Sequence, residues 1–186
     1  MNFFRFAVLA ILLAPGYLNA QTPTPSPTPA QPVPNTTNLR PLAGKYPAGR
    51  SQVTIETSPS YHGGCHLYAT APSDTALKIR LVGWVLTAAG RIPIDNQLTF
   101  LSSGAMKGRN LAPGIARSAP FTGIYTATGR RITFNGDFKF GDSTGTFTGT
   151  VQRNGKGRLF VVWSVSATGE TQALYTYNYS ATKPRR

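Results

Sequence analysis

The feature that most constrains this chain is a two-residue alternation through residues 121–180. Ile132, Phe134, Phe138 and Phe140 share one parity with Gly136, and Arg131, Thr133, Asn135, Asp137 and Lys139 hold the other. Successive side chains of a strand point to opposite faces, so this spacing predicts a strand with one apolar and one wet face. Gly141-Asp142-Ser143 supplies turn chemistry. Phe147, Gly149 and Val151 then alternate with Thr146, Thr148, Thr150 and Gln152 on the return. Asn154-Gly155 predicts a tight turn, after which Leu159, Val161, Trp163 and Val165 fall on one face. Ala167-Thr168-Gly169 turns the chain again, and Tyr175, Tyr177 and Tyr179 share a face of the final strand. Three consecutive hairpins are expected here.

The preceding residues are less regular. Short strands are expected over 52–57, 67–71 and 98–101, and a long one over 77–87, where Leu77, Ile79, Leu81 and Val85 share a parity. Helix-compatible windows are short and interrupted by Gly or Pro. The expected fold class is all-β: a small antiparallel meander of about eight or nine strands closing into an up-and-down barrel, with a β-sandwich as the alternative. Closure is favoured because it leaves no open sheet edge.

The strand pattern does not reach the N-terminus. Residues 1–20 combine Arg5, an uncharged apolar run over 6–13, the Pro15-Gly16 break and a small Ala20 before Gln21. These are the parts of a secretory signal peptide, and the apolar run is shorter than the roughly 20 residues a membrane-spanning helix needs. Residues 22–29 alternate Pro with Thr and Ser, which predicts an extended linker over 21–41. A single β domain is expected over 42–183, followed by a basic tail, 184–186. The expected location is secreted or periplasmic, with no transmembrane segment. The single cysteine rules out an intramolecular disulfide, and a domain of about 140 residues buries enough surface to fold without one.

Charge narrows the partners. The chain carries 19 Lys and Arg against 6 Asp and Glu, a net charge of +13. With Arg5 removed, 18 basic residues remain against those 6 acidic ones, a net charge of +12. Residues 102–120 read as a long loop containing Lys107, Arg109 and Arg117 and no acid, and Arg130-Arg131 occupies the next turn. Such a positive rim attracts anionic partners. The candidate ligand-binding set is therefore Lys107, Arg109, Arg117, Arg130 and Arg131. The expected partners are an anionic envelope component, such as a lipid headgroup or acidic polysaccharide, or a small amphipathic ligand; nucleic acid would bind only non-specifically.

A second reading centres on Tyr61-His62-Gly63-Gly64-Cys65-His66, which gathers both histidines and the cysteine. A Gly-Gly turn there would let His62, Cys65 and His66 approach a zinc or copper ion, or let His62 act as the base for a Cys65 nucleophile. The spacing matches no strong zinc pattern. The six carboxylates fall mostly in turns and on polar faces, an arrangement that sets up no acid–base pair. Core packing is expected for Trp84 and Trp163. No cofactor and no enzymatic activity are expected. The function expected is a non-enzymatic binding protein of the cell envelope; a metal- or thiol-dependent protein and an interaction module without a small ligand are the alternatives.

Overall fold

The alternation becomes ten antiparallel strands that close on themselves: β1 (Gly44–Ile55), β2 (Tyr61–Ser73), β3 (Ala76–Thr87), β4 (Gly90–Phe100), β5 (Ala105–Asn110), β6 (Phe121–Thr128), β7 (Arg131–Phe140), β8 (Ser143–Arg153), β9 (Arg158–Thr168) and β10 (Ala173–Thr182). The structure, a computed structural model, describes residues 30–55, 60–111, 121–140, 143–168 and 173–183. Each strand pairs with the next, and β1 pairs with β10 from Ala48–Thr182 to Ile55–Tyr175, so the sheet is a closed up-and-down barrel.

The hairpins from β6 onward follow the predicted parity. Ile132, Phe134, Phe147, Val151, Leu159, Val161 and Trp163 all turn inward and are buried. The turn at Asn154-Gly155 is longer than a two-residue loop. Asn154 N–H donates to the Arg158 carbonyl at 3.0 Å, the Asn154 side chain accepts from Arg158 N–H at 2.9 Å, and the residue with positive φ is Gly157, at 79°.

Three sequence expectations are corrected. The strand count is ten because Ala105–Asn110, read as part of a loop, is β5. Its inward positions hold Met106 and Gly108, both buried, and the polar Asn110, so one bulky apolar side chain carried the entire periodic signal. The short strand expected over 98–101 is the end of β4, which begins at Gly90 and contains Pro93. β5 pairs with β4 only over 96–100, so Pro93 lies beyond that ladder, where a missing N–H is tolerated. Gly63-Gly64 forms no turn: both residues lie within β2, opposite Ser51 and Arg50 of β1.

The two glycines mark a seam. β2 pairs with β3 only from Ser73–Ala76 to Cys65–Gly83. Past that point the Trp84 carbonyl bends over Gly63, where a Cβ would sit 1.8 Å from the carbonyl oxygen. The buried Ser51 hydroxyl donates to that oxygen at 2.7 Å, replacing the lost ladder bond.

One end of the barrel is plugged. A 3₁₀ turn, Arg40–Leu42, lies across it with Leu39 and Leu42 fully buried. Leu39 N–H donates to the Asp74 carbonyl at 2.6 Å, Asn35 N–H to the Ser102 carbonyl at 2.8 Å, and Thr37 Oγ1 to the Ala127 carbonyl at 2.8 Å. Arg153 Nη1 donates to the Pro41 carbonyl at 2.6 Å. The segment is thereby tied to all four hairpin turns of that end: β2–β3, β4–β5, β6–β7 and β8–β9. Packed structure thus starts at Asn35, ahead of the Leu42 boundary and inside the stretch whose composition reads as linker. Beneath the plug lie Tyr46, Leu77, Leu98, Phe100, Met106, Tyr125, Ile132 and Leu159, a closed apolar core.

Because Leu42 is buried against that core, Leu42→Ala is expected to cost about 2–5 kcal/mol. Chemical denaturation should show the loss as a lower midpoint while far-ultraviolet circular dichroism keeps its β signature. An unchanged midpoint would mean the plug contributes nothing to closure.

Candidate functional site

The core stops short of the other end, where the inward side chains surround a cavity of about 620 Å³. Small-molecule sites span roughly 300–1,000 Å³. Val53 and Ile55 line it from β1, Tyr61 from β2, Val85 from β3, and Ile92, Ile94 and Asn96 from β4. Phe121, Phe138 and Phe147 contribute from β6, β7 and β8, and Trp163, Val165, Tyr177 and Tyr179 from β9 and β10. Thr87, Ala88 and Ala89, at the β3–β4 turn, form part of the rim. Among the described residues no Lys, Arg, His, Asp or Glu lines this space. The wall is lowest at β5, the shortest strand, which contributes only Asn110.

Two aromatic groupings shape the interior. Trp163 is stacked nearly parallel on Tyr177 (5.0 Å between centroids, 21°) and on Tyr179 (5.2 Å, 28°), which makes one aromatic stack across β9 and β10. Phe121 meets Phe147 edge to face at 4.9 Å and 69°. Offset and edge-to-face pairs of this kind hold aromatic rings in place. The tyrosines of the last strand thus face inward at Tyr177 and Tyr179; the side chain of Tyr175 lies outside the described residues.

Tyr179 and Asn96 project inward from opposite walls and meet at the floor of the cavity, above the closed core. Tyr179 is fully buried and its hydroxyl has no well-formed hydrogen bond among the described residues. Burial holds this phenol far above its ordinary range, neighbouring Tyr177 and Cys65 add to the shift, and a weak hydrogen-bonding contact with the Asn96 side chain opposes it. The group is a neutral phenol at any physiological pH.

The five basic candidates do not form one site. Lys107 and Arg109 are exposed on the outer face of β5, with Arg109 Nη2 donating to Gln97 Oε1 at 3.4 Å. Arg130 and Arg131 are exposed at the β6–β7 turn, on the plugged end. Arg117 lies outside the described residues. The structure groups the charges differently: register places Arg130 and Arg131 beside the β8–β9 turn with Lys156 and Arg158, whose flanking of Asn154-Gly155 is already visible in the sequence, and Lys183 and Lys45 continue around the same rim. Asp74, the carboxylate at that end among the described residues, is paired with Arg40.

The His-Cys cluster is also divided. His62 and His66 are exposed on the outer face of β2, whereas Cys65, of opposite parity, is 3% exposed and faces inward. Among the described residues no three His, Cys, Asp or Glu side chains converge as a metal set. Cys65 Sγ donates to the Arg50 carbonyl at 3.2 Å. Burial pushes the thiol up to about 11 from its ordinary 9.0, against the opposing effect of the Ser180 backbone hydrogen bond. A protonated, enclosed thiol is a poor nucleophile.

The tryptophans part company as well. Core packing is the sequence expectation for both: Trp163 is buried and faces inward, where it lines the cavity, and Trp84 departs from that expectation. Trp84 lies half-buried on the outer face, with the Arg91 guanidinium 4.4 Å above its ring and Gly64 beneath it. No protein-family model matches the sequence, and no curated protein is significantly similar to it.

The raised Cys65 value carries a pH signature. Below pH 9 the thiol is protonated whether the chain is folded or unfolded. Between about pH 9 and 11 the unfolded chain ionises and the folded one does not. Stability should fall across that window by an amount on the order of 2 kcal/mol from this group. Cys65→Ala should flatten that part of the profile in denaturation series at pH 8, 9, 10 and 11. Parallel decline in both proteins would exclude the thiol as its source.

Proposed function

We propose that this protein is an exported, non-enzymatic binding protein of the cell envelope or its surroundings, and that its ligand is a small amphipathic molecule held in the barrel lumen. The observation that carries this reading is the open, aromatic-walled cavity of about 620 Å³, free of charged lining side chains among the described residues. Apolar surface of this kind gains free energy when an apolar body replaces water, at roughly 25 cal/mol per Å² covered. A barrel packed solid with side chains would have favoured an interaction module without a small ligand. The separation of Cys65 from His62 and His66 weighs against the metal- or thiol-dependent alternative.

The anionic part of the expected chemistry belongs to another surface. A charged group entering the lumen would lose hydration with no opposite charge among the described residues to meet it. The basic rim at the plugged end suits an acidic envelope surface instead, acting over about a Debye length.

An uncharged fluorophore such as N-phenyl-1-naphthylamine should bind with saturable enhancement of its emission. Val165→Trp, which fills the cavity from β9, should weaken that binding at least about tenfold, a change of 1.4 kcal/mol. Equal binding to both proteins would place the probe elsewhere and remove the lumen from consideration. Separately, retention on an anionic column should drop for the triple variant Arg130→Glu, Arg131→Glu, Lys156→Glu and vanish for both proteins in moderate salt. Undiminished retention would remove the plugged end as the basic contact.

A further inference from the structure

Resting on the lumen reading above, the polar floor narrows the ligand class. Almost everything above Tyr179 and Asn96 is hydrocarbon or aromatic ring, yet the floor keeps a fully buried hydroxyl without a well-formed hydrogen bond. A polar atom left in that condition costs free energy, about 1–3 kcal/mol, and the cost is recovered when a partner arrives. The phenol is held neutral by its burial, so it offers a proton to an acceptor and no charge to a cation. Asn96 adds a neutral amide beside it. Along one side, the stacked rings of Trp163, Tyr177 and Tyr179 form a rigid aromatic surface, against which an aromatic ligand body packs.

We infer that the lumen takes an uncharged, planar molecule carrying a carbonyl-type acceptor at one end, and that this oxygen enters first and accepts a hydrogen bond from Tyr179 Oη while the planar body stacks along Trp163. A carboxylate of the same shape is disfavoured by the cost of burying an unpaired ion where no cation waits among the described residues.

Three probes of matched shape test this: 2-acetylnaphthalene, its hydrocarbon counterpart 2-isopropenylnaphthalene, and 2-naphthoate. Trp84→Phe leaves Trp163 as the reporter of binding by fluorescence quenching. The ketone should bind about tenfold more tightly than the hydrocarbon, which corresponds to 1.4 kcal/mol, and naphthoate should bind more weakly than either. Tyr179→Phe, which deletes only the hydroxyl, should bring the ketone down to the affinity of the hydrocarbon and leave the hydrocarbon unchanged. Equal affinities for ketone and hydrocarbon in the unmodified floor overturn the assignment while leaving the lumen a binding site. So does tightest binding of naphthoate, or an equal loss of both neutral probes in Tyr179→Phe. Failure of all three probes to bind overturns the lumen reading itself, and this inference with it.

Discussion

The ladder between β1 and β10 is the constraint on which the rest depends. Nine neighbouring pairs would leave an open, twisted sheet with two unsatisfied edges and no interior. The tenth pairing turns the apolar parity of every strand toward a common axis at once, and it converts an amphipathic sheet into a container. Once the container exists its two ends pose the same problem, an exposed apolar opening, and the described residues answer it at one end only. Leu39 and Leu42 seal the first end with help from backbone carbonyls of three hairpins and the Arg153 guanidinium of a fourth. Among the described residues the second is left lined with rings and open.

That asymmetry explains how chemistry is distributed. Among the described residues, most groups that need water, including both histidines, stay on the outer parity or in turns; Arg153, on the inward parity of β8, is tied to the Pro41 carbonyl of the plug. Groups that need shelter accumulate inside, including a thiol and a phenol that burial keeps protonated. Ser51 shows the same logic on a smaller scale: a hydroxyl is placed in the wall because a carbonyl there has lost its strand partner. Function is accordingly sought in shape and neutral hydrogen bonding, with charge acting at the exterior.

Much of this architecture was legible in the sequence, and the places where it was not have definite causes. Strands β7 to β9 announced themselves because Phe, Ile, Val and Trp recur at every second position against Thr, Asn and Arg. β5 was silent because Gly108 occupies an inward position where a large side chain would have marked the period. Gly63-Gly64 misled in the opposite direction: paired glycines suggest a turn, and here they make room for a carbonyl and an indole. The site was legible as a class of side chains, Trp163 with the tyrosines of the last strand, and not as a place. The lumen exists only through register, which brings Asn96 opposite Tyr179 across the barrel from more than eighty residues away in the chain. The basic residues were visible one by one. Their grouping depends on which turns share an end, and linear order scatters it.

The plug also sets a direction. Residues entering it from the proline-rich side pass Ser102 and Gly104, and β10 finishes beside Gly44, with Lys183 against that same pole. Both ends of the described chain therefore leave from the sealed pole, with the cavity mouth at the other. Anything that holds the domain by either end, whether a natural tether or an immobilisation tag, presents the mouth outward to the surrounding medium.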